Sequence, residues 1–253
     1  MVHNTVFGNI IKNDVRLLEE NKVKDVTVTD AGGKVLSKMS FNKRGWIKSY
    51  YASEHTYGKD GSYDFDWDDK DRLSKGIYKY NGMTWVYYFN YTDYTLNVIS
   101  LDFQNGINQD YIFKYKNVDG NDLFDKLSYH DKSKDTFDLT CIFNYDEKGK
   151  LIKVNDSRFF STFDSVSYGE NTIFLAESYF EKCLYTIDNS RIVSEERIYP
   201  SDQRSRAYIP ENRFPDIKAI KKYLYKENGL IDLIEEDMGG DKYRKFYEYT
   251  YYD

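Results

Sequence analysis

Three prolines, two cysteines and three histidines in 253 residues remove several chemistries at the outset. Cys141 and Cys183 are too few for a disulfide framework or a four-ligand metal knuckle. Each falls in a strand-like run among apolar neighbours, so buried thiols are expected, with pairing between them left open. His3, His55 and His130 are scattered, and none has a second metal ligand at helical or hairpin spacing. A nucleophilic couple of Cys141 and His130 would need the fold to join them in space. No apolar stretch approaches a membrane span, and no Gly-x-Ser-x-Gly elbow or glycine-rich phosphate loop is present. Met1 to Asn9 lack a charged start followed by an apolar run, which points to a cytoplasmic location, a trimmed leader being the alternative. Basic residues are also outnumbered, 36 against 42 acidic, for a net charge of -6. Broad nucleic-acid affinity needs Lys and Arg gathered against phosphates, so nucleic acid is excluded as a partner. A basic protein partner suits the charge.

What the chain holds in excess is aromatic: 26 Tyr and 16 Phe bring that fraction to 18%. Tyr favours a pleated, half-buried surface where the ring packs and the hydroxyl stays wet. With a mean hydropathy of -0.74, thin sheets fit better than a thick aliphatic core. One phrase recurs, in which an aromatic strand end leads into a polar turn and a short apolar strand. Its clearest copy runs from Phe143 through Asp146 and Gly149 to Ile152; others run from Tyr223 to Ile231 and from Val26 to Leu36. Such self-similarity sets architecture before any single residue is interpreted.

Alternation supports the same conclusion. Tyr63, Phe65 and Trp67 share one face of a strand, and Asp64, Asp66 and Asp68 the other. Asn81-Gly82 between aromatic runs predicts a tight hairpin, because both turn positions need positive φ. Further strands are expected at Trp85–Tyr91, Asn97–Phe103, Tyr111–Lys116, Phe137–Tyr145, Leu151–Val154, Thr172–Tyr179, Cys183–Ile187, Ile192–Ile198, Tyr223–Tyr225, Leu230–Ile234 and Tyr243–Tyr252. Gly32 and Gly45 lie 13 residues apart and Gly120 and Gly149 lie 29 apart, too uneven for a propeller or strict solenoid. The expectation is an all-β chain, 1–253 as a single domain: a curved, strongly twisted antiparallel β-meander. A short helix is expected at 13–21, capped by Asp14, and one or two helical turns at Asp216–Lys221.

The phrases around Tyr145-Asp146, Tyr223 to Ile231 and the terminal Tyr252-Asp253 resemble the YD repeats of the RHS family. Asp71 stands where that pattern has glycine, and the chain is too short to build an enclosing RHS shell. The resemblance implies an open sheet of YD-like hairpins, of the kind found around bacterial polymorphic toxin and immunity systems.

Two segments interrupt the meander and are the candidate functional elements. The first is the acidic run holding Asp60, Asp64, Asp66, Asp68, Asp69 and Asp71. Clustered carboxylates suit calcium, yet an EF-hand loop beginning at Asp64 fails, with Asp69 at its glycine position and Lys75 at its bidentate glutamate. No metal and no cofactor are expected, and the run reads as a solvated or partner-facing stripe centred on Asp64, Asp66, Asp68 and Asp69. The second is the loop 199–215, which contains all three prolines. Its Arg204, Arg206, Tyr208, Arg213 and Phe214 are residue types enriched at binding hot spots. The function expected is non-enzymatic protein binding, as an immunity-type protein occluding a cognate toxin. A cell-envelope or carbohydrate-binding sheet protein, stacking sugars on Trp67 or Trp85, is the alternative.

Overall fold

A computed structural model describes residues 8–53, 60–102, 107–118, 121–131, 135–156, 163–177, 182–199 and 217–253. Eighteen strands and one helix account for most of these, and the strand registers are antiparallel between sequence neighbours. The all-β meander with a short N-terminal helix is therefore as the sequence predicts. The chain divides into two compact units. The first comprises Met1–Asp14 and Phe143–Phe246, the second Val15–Ile142 and Tyr247–Asp253.

In the second unit, strands follow one another as β1 (Val23–Thr29), β2 (Val35–Phe41), β3 (Ile47–Ala52), β4 (Gly61–Trp67), β5 (Leu73–Tyr80), β6 (Met83–Tyr91), β7 (Thr95–Asp102), β8 (Ile107–Val118), β9 (Asn121–Asp131) and most of β10 (Thr136–Tyr145). The end of the last strand returns to this unit: the Tyr252 amide donates to the Lys22 carbonyl at 2.8 Å, and the Thr250 hydroxyl to Asp25 at 2.9 Å. In the first unit, β11 (Leu151–Asp156), β12 (Phe163–Tyr168), β13 (Thr172–Glu177), β14 (Lys182–Asp188), β15 (Arg191–Tyr199), β16 (Ile217–Tyr225), β17 (Ile231–Met238) and β18 (Asp241–Tyr251) pair in chain order.

Five turns share one hydrogen-bond plan and explain the recurring phrase. Asp30, Asn42, Asp68, Asp146 and Lys226 each donate their amide to the carbonyl four residues on, and accept at their own carbonyl from the amide three residues on. This is a type I turn followed by a residue at positive φ. That residue is Gly33 (80°), Gly45 (76°), Asp71 (59°), Gly149 (73°) or Gly229 (86°). In the four turns that open with Asp or Asn, the side chain also accepts two backbone amides: Asp146 Oδ1 takes Lys148 at 2.9 Å and Lys150 at 2.8 Å. Asp30, Asn42 and Asp68 do the same. A short acceptor here satisfies amides that the bulged ladder leaves over, which is why Asp and Asn recur. The register shifts at Val28/Thr29, Ser40/Phe41, Asp66/Trp67 and Leu224/Tyr225 sit beside these turns. Asn81 (51°) and Gly82 (77°) form the expected tight hairpin, and Asn189-Ser190 another.

Two secondary-structure expectations are corrected. The helix, α1 (Gly8–Glu20), begins well before 13, so Asp14 lies mid-helix and caps nothing. Its C-terminal end closes where Asn21 bonds the Leu17 carbonyl and Lys22 turns to a φ of 53°. Residues 217–221 are strand rather than helix: β16 alternates Ala219, Lys221, Tyr223 and Tyr225 on one face with Lys218, Ile220, Lys222 and Leu224 on the other.

The cores are thin and aromatic. In the second unit, Leu96, Val98 and Phe113 are buried beneath Tyr87, Phe89, Tyr91, Tyr111, Tyr115, Phe124 and Leu127. Beside them a row of rings crosses four strands: Tyr50 to Tyr63 at 6.2 Å, Tyr63 to Tyr78 at 4.4 Å and Tyr78 to Trp85 at 5.1 Å. Cross-strand ring pairs of this kind each stabilise a sheet by roughly 0.5–1.5 kcal/mol beyond their area. In the first unit Val166, Leu175 and Cys183 are mutually paired and buried, as are Ile173 and Tyr185.

Candidate functional site

The alternation in β4 places Asp64 and Asp66 on the exposed face and Tyr63, Phe65 and Trp67 on the packed one. Cross-strand register then extends the exposed row from Asp66 to Lys75 on β5 and Tyr88 on β6, a residue 38% exposed. Lys75 Nζ stands 5.8 Å from that ring, and Lys79 Nζ lies 3.5 Å from Asp64. Asp69 is exposed at the turn beyond.

Asp68 does not share the exposed face of Asp64 and Asp66. It caps its own turn and binds Arg72 by a bond to Nε at 2.8 Å and an ion pair to Nη2 at 2.7 Å. The Arg72 backbone amide, then its guanidinium and the Lys70 amide, hold the Asp68 carboxyl below the usual aspartate range. Asp71 pairs with Arg44 at 2.6 Å. The sequence cluster is thus divided: Asp68 and Asp71 serve turns, while Asp64, Asp66 and Asp69 face outward. Among the described residues no group of three or more His, Cys, Asp or Glu could hold a metal ion.

Tyr199 ends β15, and the remainder of the predicted loop, with Arg204, Arg206, Tyr208, Arg213 and Phe214, lies outside the described residues. His3 and His55 lie outside them too. Cys141 and Cys183 are both buried, and neither forms a disulfide. Cys141 sits opposite Leu127 in the ladder, whereas His130 sits opposite Phe137. The three-residue offset puts the thiol and the imidazole on opposite faces of the sheet, so they form no couple. His130 instead lies between Asp110 at 3.4 Å and Asp135 at 3.2 Å.

Trp67 and Trp85 are already engaged. Trp67 stacks on Trp46 with centroids 4.7 Å apart and donates its indole N–H to the Ile47 carbonyl at 2.7 Å, and Trp85 stacks on Tyr78.

Sequence reasoning misses the most charged part of the first unit's packed face. Glu195, on β15, is buried, its side chain 5% exposed. It accepts from Arg197 Nε on its own strand and from the Tyr223 hydroxyl of β16 at 2.8 Å. Lys221 Nζ lies 3.7 Å from Glu195 and 3.7 Å from Glu236 of β17, and Glu236 meets Lys245 of β18 at 3.2 Å. Burial works to raise the Glu195 carboxyl, but the Tyr223 hydroxyl, Lys221 and Arg197 together outweigh it and hold it below the ordinary glutamate value. Burial also pushes the neighbouring Tyr185 phenol far up. The sequence signal for this group is a set of charges on alternate positions of apolar strands. Their partners are defined by register and not by spacing.

No protein-family model and no curated protein matches the chain. Among solved structures it is similar to a chain in the crystal structure of TcdB2-TccC3-Cdc42, at 11% identity and a TM-score of 0.25, over 84% of this chain and 12% of that one. It is also similar to a chain of the Photorhabdus luminescens Tc holotoxin pore carrying a TccC3 mutation, at 8% identity and a TM-score of 0.17, over 85% of this chain and 17% of that one. The chain spans less than a fifth of the length of either solved chain that it resembles.

Proposed function

We propose that this protein acts by binding another protein, without catalysing a reaction, and that it is an immunity-type protein occluding the surface of a cognate bacterial toxin. The observation that carries the reading is the exposed row on β4–β6, where Asp64, Asp66 and Tyr88 stand on three hydrogen-bonded strands. Asp64 and Asp66, interleaved with Lys75 and Lys79 around an exposed tyrosine, suit a partner surface of matching mixed charge, through charge complementarity around an aromatic anchor. The resemblance of the YD-like phrases to proteins of polymorphic toxin systems supports the immunity role, and the mechanism is steric occlusion in the cytoplasm, with no cofactor. No helix among the described residues is long and apolar enough to cross a membrane.

Affinity purification from the native host, with partner identification by mass spectrometry, tests this. A stable protein partner that is retained by the wild type and lost by at least tenfold in the Asp64→Ala, Asp66→Ala, Tyr88→Ala triple variant supports it. Absence of any partner, together with no toxin domain encoded beside the gene, removes the immunity reading. Full retention by the triple variant removes the proposed surface.

A further inference from the structure

The ionic chain on the packed face of the first unit goes beyond the binding reading and is independent of it. One ladder position runs across four strands: Tyr185 opposite Glu195, Glu195 opposite Lys221, Lys221 opposite Glu236. Arg197 and Lys245 flank it, so two carboxylates meet three cations, in side chains between 5% and 38% exposed. The groups around Glu195 are Tyr185 and Cys183 from β14, Arg197 from β15, and Lys221 and Tyr223 from β16, with Glu236 from β17 beyond Lys221 and Lys245 from β18 beyond Glu236. Only the two glutamates are anionic among them.

We infer that this chain is an acid-operated lock, which holds the first unit closed while Glu195 is ionised and opens that unit, ahead of the second, once Glu195 is protonated. Protonating Glu195 removes the charge that Arg197, Lys221 and the Tyr223 hydroxyl converge on at a carboxyl only 5% exposed, and losing one side of a buried ionic contact is strongly destabilising. The opposite face of the same strands supplies a contrast. Glu196–Lys218 and Glu235–Arg244 are more exposed ion pairs, and pairs of that kind contribute little. The carboxylates that cap turns in the second unit receive backbone amides at open turns, Asp30 and Asp68 alike, and Asp68 adds the single guanidinium of Arg72, which is 41% exposed.

The sign follows from linkage. A carboxyl held below its ordinary value in the folded state contributes stability above the unfolded value of about 4.3, and loses it as pH falls through the folded value. Opening therefore begins below about pH 4.3.

All three tryptophans, Trp46, Trp67 and Trp85, belong to the second unit, so their emission reports that unit alone. Hydrogen exchange of the full chain between pH 7 and pH 2.5, corrected for intrinsic rates and read by mass spectrometry, follows the strands of the first. Peptides covering β14–β17 are expected to lose protection while tryptophan emission is still native. Glu195→Gln, which keeps the shape without the charge, is expected to raise the opening constant of those peptides on the order of a hundredfold at pH 7 and to flatten its pH dependence. Glu235→Gln is expected to behave as wild type. Simultaneous loss of both signals on acidification overturns the inference, as does a Glu195→Gln profile matching wild type. If Glu195→Gln does not fold, Tyr223→Phe decides: a higher opening pH supports the lock, and an unchanged one overturns it.

Discussion

The hydroxyl of Tyr168 donates to the backbone carbonyl of Leu151 at 3.0 Å, reaching back from β12 to the residue that follows the Asp146 turn. Lys150, the last residue of that turn, sets its Nζ 4.9 Å from the same ring. The arrangement recurs. Trp67 bonds the Ile47 carbonyl and stacks on Trp46, the corresponding positions of the Asn42 turn, and Arg72 lies 4.5 Å from the Tyr91 ring after the Asp68 turn. In each case an aromatic of the next hairpin covers the preceding turn. This gives these rings a structural task that needs no ligand.

Replacing Tyr168 by Phe keeps the ring over Lys150 and removes only the hydroxyl. The Leu151 carbonyl then loses a partner in a half-buried setting, and destabilisation of about 1 kcal/mol is expected. Urea denaturation followed by far-UV circular dichroism measures it. A Tyr168→Phe midpoint equal to wild type would show that water replaces the hydroxyl without loss.

Two turn glycines separate conformational need from space. Gly33 has a φ of 80°, and a Cβ added there would meet nothing within 4 Å, so Gly33→Ala should cost about 1–2 kcal/mol from backbone strain alone. At Gly45 the φ is 76°, and a Cβ would meet the Val15 carbonyl oxygen of α1 at 2.3 Å. Gly45→Ala must also displace the helix from the turn, and its loss should clearly exceed that of Gly33→Ala in the same thermal melt. Equal losses would mean that α1 yields at no cost.

Asp71 occupies the glycine position of its turn at a φ of 59°. Glycine adopts that conformation freely, while the Arg44 pair that Asp71 makes is about two-fifths exposed on both sides, and such pairs are worth about 0–1 kcal/mol. Asp71→Gly should therefore leave stability unchanged or raise it by up to about 1 kcal/mol. A loss of more than that amount would show that the Arg44 pair dominates the turn.

The turn chemistry is legible in the sequence because it is local. An Asp three residues before a Gly, or Asn81-Gly82, carries its own hydrogen-bond and φ requirements within a few residues. The copy at Asn42 to Trp46 is harder to see, because Asn replaces Asp and tryptophan replaces a basic or aliphatic residue, although the bonds are the same. β16 misleads for a different reason. Ile217, Ile220, Lys221 and Leu224 mimic a helical stripe, while the true inward set includes Lys221, a charge used against Glu195 and Glu236. Cross-strand register decides those partners, and no spacing along one strand encodes it. The acidic stripe divides on the same principle: alternation correctly faces Asp64 and Asp66 outward, but Asp68 sits past the bulge at Asp66/Trp67 and serves the turn.

Alkaline titration tests the aromatic packing as a whole. Burial, aided by neighbouring tyrosines, pushes the Tyr63 phenol up to about 12. Burial does the same at Tyr168 and Tyr247, to about 12 in each, and raises Tyr185 further. Because the neutral phenol is the form the fold favours, unfolded tyrosines release their protons first, near pH 10. Stability is then intact below about pH 10 and falls as the pH rises toward 12. Absorbance near 295 nm should show a late phase, in which Tyr63, Tyr168 and Tyr247 ionise only together with loss of the sheet signal. Tyr63→Phe should remove amplitude from that late phase. A single phase centred near pH 10, with the sheet still folded, would contradict the burial that raises Tyr63, Tyr168, Tyr185 and Tyr247.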